Sequence, residues 1–327
     1  MKKNNKQGKP VLLIAILVLV LVFSVSGLLY LGSTDFYPTG ATQNAPSKTI
    51  VREGVEYFPR QDITVILVAG IDEYGKVQSS GSYNNTGEAD MVTLLIFDEK
   101  DKVVDVLSLN RDTMLEMPVL GIGGKPAGTR HGQLALAHTY GTGLEDSGKN
   151  LRDTVSNFLY GAYIDYYVTM NMDAIAILND AVGGVKVNVT DDFSEIDPTI
   201  QKGEMVLTGK QAVTFVQTRQ GLGDQLNTTR MERQREYMTG FLAAVKDSIN
   251  GSGSFALNTY EAVGDYTVTD CSTTALSTLV NRLAGYQLGE IESVKGENVK
   301  GEKYMEYHVD EEALDQLILK YLYAPKK

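Results

Sequence analysis

The order of periodic segments in this chain predicts an α/β fold, a central mixed β-sheet flanked by helices and preceded by one transmembrane helix. Three observations carry that expectation. Short β-branched runs at Ile63 to Ala69, Met91 to Phe97 and Val103 to Leu109 have the length and composition of buried strands. After residue 133, helical spacing alternates with further strand-like runs. Val11 to Gly32 is apolar or small throughout, about the 20 residues that a bilayer core requires.

Lys2, Lys3, Lys6 and Lys9 precede the apolar run, and its other flank carries no base before Lys48. Residues 1–10 are therefore expected in the cytoplasm, 11–32 as a single span of the cell membrane, and nearly all the rest outside. A cleaved signal peptide has a shorter apolar core and a small-residue cleavage site, so an uncleaved anchor is preferred. Residues 33–61 mix Gly, Ser, Thr, Pro, Asn and charge, which reads as an extracytoplasmic linker. The main domain is expected over 62–250, with 251–327 an α/β extension packed on the same domain.

Within the domain, the polar turn Asp98 to Lys102 joins the second and third strands, and the Gly-, Ser- and Asn-rich stretch Tyr74 to Gly87 is expected as a mobile loop at the sheet's edge. Gln133 to Tyr140 and Asn150 to Leu159 carry helical spacing. Tyr166 to Met170 reads as a strand, Asp173 to Val182 as a helix stopped by Gly183 and Gly184, and Val185 to Val189 as a strand. Thr208 to Phe215 is another predicted helix. A long helix is expected to start with Thr229 as N-cap, because Thr229 and Glu232 stand at capping-box spacing. After Gly251 to Ser254 come a helix near Ser272 to Leu283, strands at Ile291 to Val294 and Tyr304 to His308, and a last helix at Asp310 to Tyr321.

A single cysteine, Cys271, cannot form an internal bridge, so an exported domain of this size must be held by packing alone. The formal charge of −11 argues against nucleic-acid binding, and the short segment ahead of the span leaves no room for a DNA-binding motif. Basic charge is instead local: Arg219, Arg230, Arg233 and Arg235 are four of ten arginines. Two guanidinium groups in the first turn of a helix oppose its dipole, which points to an anion, and phosphate is the usual one. On a helical wheel Arg230, Arg233, Gln234 and Tyr237 share one side, free to face a cleft, while Met231, Met238, Phe241, Leu242 and Val245 share the core side.

Asp72 follows the first strand, Asp90 precedes the second and Arg111-Asp112 follows the third. A hairpin between the second and third strands would bring Asp90 and Arg111 to one end, and Asp72 joins them if the first and third strands run parallel. Taken singly, each aspartate after a strand is more often a turn former or cap. His131 and His138 lack partners at metal-ligand spacing, so a zinc site is not expected. Neither G-x-S-x-G nor G-x-x-x-x-G-K-[ST] occurs, which leaves serine-hydrolase and P-loop chemistry without support.

The strand ending in G-I-D, the strand opened by Asp90, S-L-N-R-D-T at 108–113, I-D-Y-Y-V at 164–168, L-N-D-A-V-G-G-V at 178–185, L-T-G-K-Q-A at 207–212 and R-M-E-R-Q at 230–234 together resemble the LytR-CpsA-Psr family. The resemblance implies an extracytoplasmic phosphotransferase that moves an anionic glycopolymer, of teichoic-acid or capsule type, from an undecaprenyl-pyrophosphate carrier to peptidoglycan. It implies Mg2+ on Asp72 and Asp90, pyrophosphate on Arg111, Arg219, Arg230 and Gln234 with Arg233 beside them, a base at Asp90 or Asp112, and an apolar tunnel for the polyprenyl chain. Planar guanidinium forks match phosphoryl oxygens, and magnesium neutralises a leaving pyrophosphate.

The chain departs from the family pattern twice, with Glu88 two positions before Asp90 and Gln217 two before Arg219, each where the family usually has arginine. Its path from Arg219 to Arg230 is also longer than the common form. Two alternatives therefore stand beside the transferase. One is a protein that binds polyprenyl pyrophosphate or wall polymer without turnover; the other is a pyrophosphatase with water as acceptor.

Overall fold

The computed structural model describes residues 49–218, 221–222, 227–251, 255–272 and 286–326. The expected cytoplasmic tail, the span over 11–32, most of the linker, Arg219 and the helix expected near 272–283 lie outside the described residues. Among the described residues no helix is long and apolar enough to cross a membrane.

The apolar runs form the middle of a six-stranded sheet. Its order is β11 (Thr267–Thr269), β8 (Tyr166–Asn171), β3 (Ile63–Ile71), β4 (Ala89–Asp98), β5 (Val103–Leu109) and β12 (Gln287–Ser293). The β3–β8 and β5–β12 pairs are parallel and the other three antiparallel, so the sheet is mixed as predicted. Alternation along the strands divides the core in two. Ile66, Val68, Leu95, Phe97, Val104 and Val106 face helices α2 (Met172–Ala181), α3 (Gly209–Gln217) and α4 (Asn227–Gly251), through Leu178, Phe215, Tyr237, Phe241 and Val245. Val65, Leu67, Leu94, Ile96 and Leu107 face α1 (Glu145–Phe158) and α6 (Glu311–Tyr321), through Leu151, Val155, Leu314 and Ile318. Burying one such Leu, Ile or Phe stabilises by about 1.5–3 kcal/mol.

Local sequence sets most helix ends. Asn171 Oδ1 accepts from Ala174 N at 3.2 Å to start α2, and Thr208 and Gln211 form a capping box on α3. Asp310 Oδ1 accepts from Glu312 N and Ala313 N, both at 3.0 Å, to start α6. Helix α4 begins at Asn227, two residues before the expected Thr229. It lies tight on β9 (Val185–Val189), which pairs with β10 (Gly203–Leu207), because Gly240 carries no Cβ; one built there would fall 2.1 Å from the Lys186 carbonyl oxygen.

Four expectations are corrected. Residues 50–59 are not all spacer: β1 (Ile50–Arg52) and β2 (Val55–Pro59) form a small sheet with β15 (Tyr323–Pro325), tying the two ends of the described chain together. Gln133 to Tyr140 is not an α-helix. Its first residue ends β7 (Pro126–Gln133), the partner of β6 (Met114–Leu120), and Leu134–Thr139 is a 3-10 turn held where Leu134 N and Ala135 N donate to the Thr113 and Arg111 carbonyls. The stretch Tyr74 to Gly87 lies at the end of central strands rather than at the sheet's edge. It is pinned: Asn85 Nδ2 lies 2.9 Å from both the His138 and Gly141 carbonyls. Finally, the C-terminal segment is more than an extension, since β12 is a strand of the main sheet, while β14 (Met305–Val309) pairs with β13 (Gly296–Lys300).

Candidate functional site

Because β3 and β5 run the same way and β4 runs against both, the end of β3, the start of β4 and the end of β5 meet at one side of the sheet. Asp72, Asp90 and Arg111 are thereby brought together from three strand ends. Asp90 is aimed by a bulge: Gly70 pairs with Met91 and Ile71 with Ala89, leaving Asp90 as the extra residue between them. Such an insertion bends the strand and re-aims a side chain.

Two arginines from distant parts of the chain close on Asp90, which is 8% exposed. Arg230 Nη1 donates to Asp90 Oδ2 at 2.6 Å, and Arg111 Nη1 meets Oδ1 in an ion pair that lacks hydrogen-bond alignment. Arg111 carries two further carboxylates. Its Nη2 donates to Glu88 Oε2 at 2.5 Å, and its Nε lies 3.3 Å from Asp112 Oδ1. Asp112 is buried beneath that guanidinium and accepts from Gln133 Nε2 at 2.8 Å, so it props Arg111 and does not line the adjoining cavity.

Arg230 is positioned by two asparagines that the sequence reading missed. Asn227 Oδ1 accepts from Arg230 Nε at 3.0 Å and from Nη2 at 2.5 Å, while Asn227 Nδ2 donates to Asn110 Oδ1 at 2.6 Å. The first turn of α4 is thus bonded to the turn after β5. Asn110 belongs to the S-L-N-R-D-T block and could have been suspected there; Asn227 carried no signal beyond its place near the helix start.

The remaining candidates divide. Gln234 lines the cavity beside Asp90. Gln217 does too, and its amide bridges two groups: Nε2 donates to Asp72 Oδ1 at 2.7 Å and Oε1 accepts from Tyr74 Oη at 2.8 Å. Arg233 does not join the site, which corrects its placement among the pyrophosphate ligands. Its guanidinium is 5% exposed, pairs with Asp191 Oδ2 at 2.6 Å, and donates to the carbonyls of Phe215 and Thr218. Tyr237 borders the same cavity as Gln234, as its place on the helical wheel predicts, but from within the core: it is stacked on Phe241, and burial raises its phenol well above the usual range.

Behind Asp90 lies an apolar cavity of about 70 Å³ between the sheet and helices α2 and α4, lined by Val68, Ile175, Leu178 and Phe241 and by four methionines, Met91, Met170, Met172 and Met238. Unbranched thioether side chains adapt to whatever fills the space between them. A mouth of paired arginines and carboxylates thus adjoins an apolar interior.

The sequence from residue 35 to 321 matches the LytR_cpsA_psr family. The chain belongs to the LytR-CpsA-Psr family. Among relatives, it is 27% identical to the polyisoprenyl-teichoic acid–peptidoglycan teichoic acid transferase TagU of Oceanobacillus iheyensis, over 97% of this chain and 94% of that one. It is 26% identical to TagU of Bacillus subtilis, over 74% and 72% respectively. A solved structure of TagT bound to LIIa-WTA has the same fold, with a TM-score of 0.58 and 21% identity over 79% of this chain and 88% of that one.

For a LytR-CpsA-Psr protein the question of a metal follows. Among the described residues no group of three or more His, Cys, Asp or Glu side chains could hold an ion by itself. Asp72 and Asp90 still fit magnesium in donor chemistry, because Mg2+ takes hard oxygens and is commonly held by one or two carboxylates, with substrate phosphates and water completing its shell.

Proposed function

We propose that this protein is an extracytoplasmic, membrane-anchored phosphotransferase that attaches an anionic glycopolymer, carried on polyprenyl pyrophosphate, to peptidoglycan. The observation that carries this reading is the convergence of Arg111 and Arg230 on Asp90 at the mouth of a methionine-lined apolar cavity. The names of the TagU relatives supply the class of donor and acceptor. Pyrophosphate oxygens replace carboxylate oxygens on the two guanidinium forks, and the prenyl chain spreads the four methionines. Asp90, released from the arginines, takes the proton of the acceptor hydroxyl as that oxygen attacks the glycan-bearing phosphorus, whose bond to the bridging oxygen breaks so that polyprenyl phosphate leaves. Asp72 and Asp90 would hold magnesium, which when bound would supply charge neutralisation for the leaving phosphate. Arg219 is proposed as a further pyrophosphate ligand and Gln234 as a neighbour of the chain's entry.

The full-length protein with magnesium, a polyprenyl-pyrophosphate-linked glycan and peptidoglycan is expected to transfer glycan to the wall polymer. Arg111→Lys keeps the positive charge that compensates Glu88, Asp90 and Asp112 but loses the planar fork, and is expected to cut transfer about a hundredfold. Undiminished transfer by this variant sinks the site assignment. Prenyl pyrophosphate binding without transfer would favour the non-catalytic reading, for which the carboxylate already seated on Arg111 at Glu88 speaks. Release of phosphate without transfer would favour a pyrophosphatase.

A further inference from the structure

Arg111 sits in the turn that follows β5, and that turn is gripped from two sides. Its own carbonyl accepts from Ala135 N at 3.0 Å and the Thr113 carbonyl accepts from Leu134 N at 2.9 Å, so one grip is the start of the 3-10 turn after β7. The Asp112 carbonyl accepts from Tyr307 N at 2.9 Å instead, in β14 of the C-terminal hairpin, where Thr113 and Tyr307 also form a parallel bridge.

One side chain joins the two grips. Gln133, the residue before Leu134, is 8% exposed, and its amide nitrogen carries two protons. One goes to Asp112 Oδ1 at 2.8 Å and the other to the Met305 carbonyl of β14 at 2.9 Å. Asp112 and Tyr307 are buried as well, which keeps water from competing for these bonds. The carboxylate beneath the Arg111 guanidinium is thereby tied to a strand near the end of the chain. A group that must meet a ligand has to be held within about 0.5 Å of its working position, and the bonds behind it do the holding.

We propose that the hairpin β13–β14 is a positioning element of the arginine site and that it acts through Gln133, which fixes Asp112 and with it the Arg111 guanidinium. Neither the hairpin nor Gln133 touches the ligand. The positioning role rests on the transferase reading for what Arg111 holds, a pyrophosphate. It gives the segment after residue 250 a part in the site, beyond the strand it adds to the main sheet.

The test uses the full-length protein in detergent micelles, with geranylgeranyl pyrophosphate as the probe. Gln133→Met keeps the length of the side chain and removes both donors; Gln133→Asn, one methylene shorter, cannot span both oxygens and serves where the methionine variant does not fold. Affinity for the probe is expected to fall about tenfold, the loss of one well-aimed charge-assisted bond. Tyr307→Phe removes the bond from Tyr307 Oη to the Val294 carbonyl at 3.0 Å, which loosens the same hairpin but leaves Gln133 and the Tyr307 amide in place. It is expected to keep wild-type affinity. Coupling is reciprocal, so saturating probe is expected to slow exchange of the Tyr307 amide proton about tenfold in the wild type and not in Gln133→Met. Affinity that falls equally in Tyr307→Phe, or that a Gln133 variant leaves unchanged, overturns the positioning role, and so does Tyr307 exchange that bound probe does not slow in the wild type. If the probe does not bind the wild type, it is the transferase reading that fails. The Arg111 Nε–H resonance then decides the positioning role by itself: it is expected to move in Gln133→Met and not in Tyr307→Phe, and a resonance that stays still in Gln133→Met overturns it.

Discussion

Arg230 and Arg233 leave α4 within one turn of each other and are both buried, yet they do opposite things. Arg233 spends its donors on Asp191 and on the two backbone carbonyls of Phe215 and Thr218, and lies over the Phe193 ring at 5.9 Å. Each of its three nitrogens is thereby committed to the protein. Arg230 instead shares Asp90 with Arg111, in a cluster where two guanidinium groups face three carboxylates and one side opens on a cavity. Three residues of spacing separate a clasp from a site. What distinguishes them is that two of Arg233's three partners are backbone carbonyls, which cannot move away, whereas Arg230 and Arg111 meet on a carboxylate that an incoming phosphate can replace.

The largest effect that would sharpen this contrast is the loss of the clasp. Arg233→Ala leaves Asp191 and two backbone carbonyls without their donor, and breaking a buried pair costs about 3–5 kcal/mol. Asp191 is 17% exposed and can recover some solvation, so a loss of about 3 kcal/mol is expected. Denaturant unfolding of the full-length protein measures it. If Arg233 were a ligand instead, the substitution would weaken pyrophosphate binding and leave stability within a few tenths of a kcal/mol.

The contrast also explains what the sequence could and could not disclose. Strands β3, β4 and β5 were legible because continuous β-branched runs have few other uses, and their antiparallel order brought Asp72, Asp90 and Arg111 to one end as anticipated. The fate of Arg233 was not legible. A helical wheel gives direction around one axis, whereas Asp191 and the end of α3 arrive from elsewhere in the chain. The aim of Asp90 depends on a bulge set by the register of two strands, which no local pattern encodes. Likewise β2 is flanked by β1 on one side and by the returning C-terminal β15 on the other, a pairing that residues 50–59 read in isolation do not disclose.

A smaller change should break the comparison from the other side, by removing a competitor from the open cluster. Glu88 is 38% exposed and its carboxylate occupies one edge of Arg111. Replacing Glu88 by Gln keeps its size and removes its charge, so a phosphate no longer displaces a paired anion. Affinity for geranylgeranyl pyrophosphate is expected to rise about tenfold at low salt, the order of one charge-assisted hydrogen bond, and the gain should shrink as salt screens the site. Unchanged affinity would mean that Glu88 turns away at no cost and that Arg111 is as available as an unpaired arginine.

His138 is the limiting case of the same comparison, a buried polar group with one nitrogen bonded and the other without a partner among the described residues. Burial is the main cause that lowers its pKa below the ordinary value near 6.5, outweighing the Gly87 carbonyl. In the unfolded chain the ring takes up a proton as pH falls through about 6.5, while the folded protein holds it neutral. The unfolded state therefore binds more protons in that window, and stability present above pH 6.5 is lost as pH falls toward the folded pKa, by at most about 1.4 kcal/mol per pH unit. A His138→Asn variant keeps a side-chain N–H for the Gly87 carbonyl and has no such proton to bind. Unfolding free energies of the two proteins, measured side by side from pH 7.5 to 5, are expected to converge as the wild type loses stability faster. Parallel curves would show that the ring titrates alike in both states, which would mean that water reaches Nε2 in the folded protein.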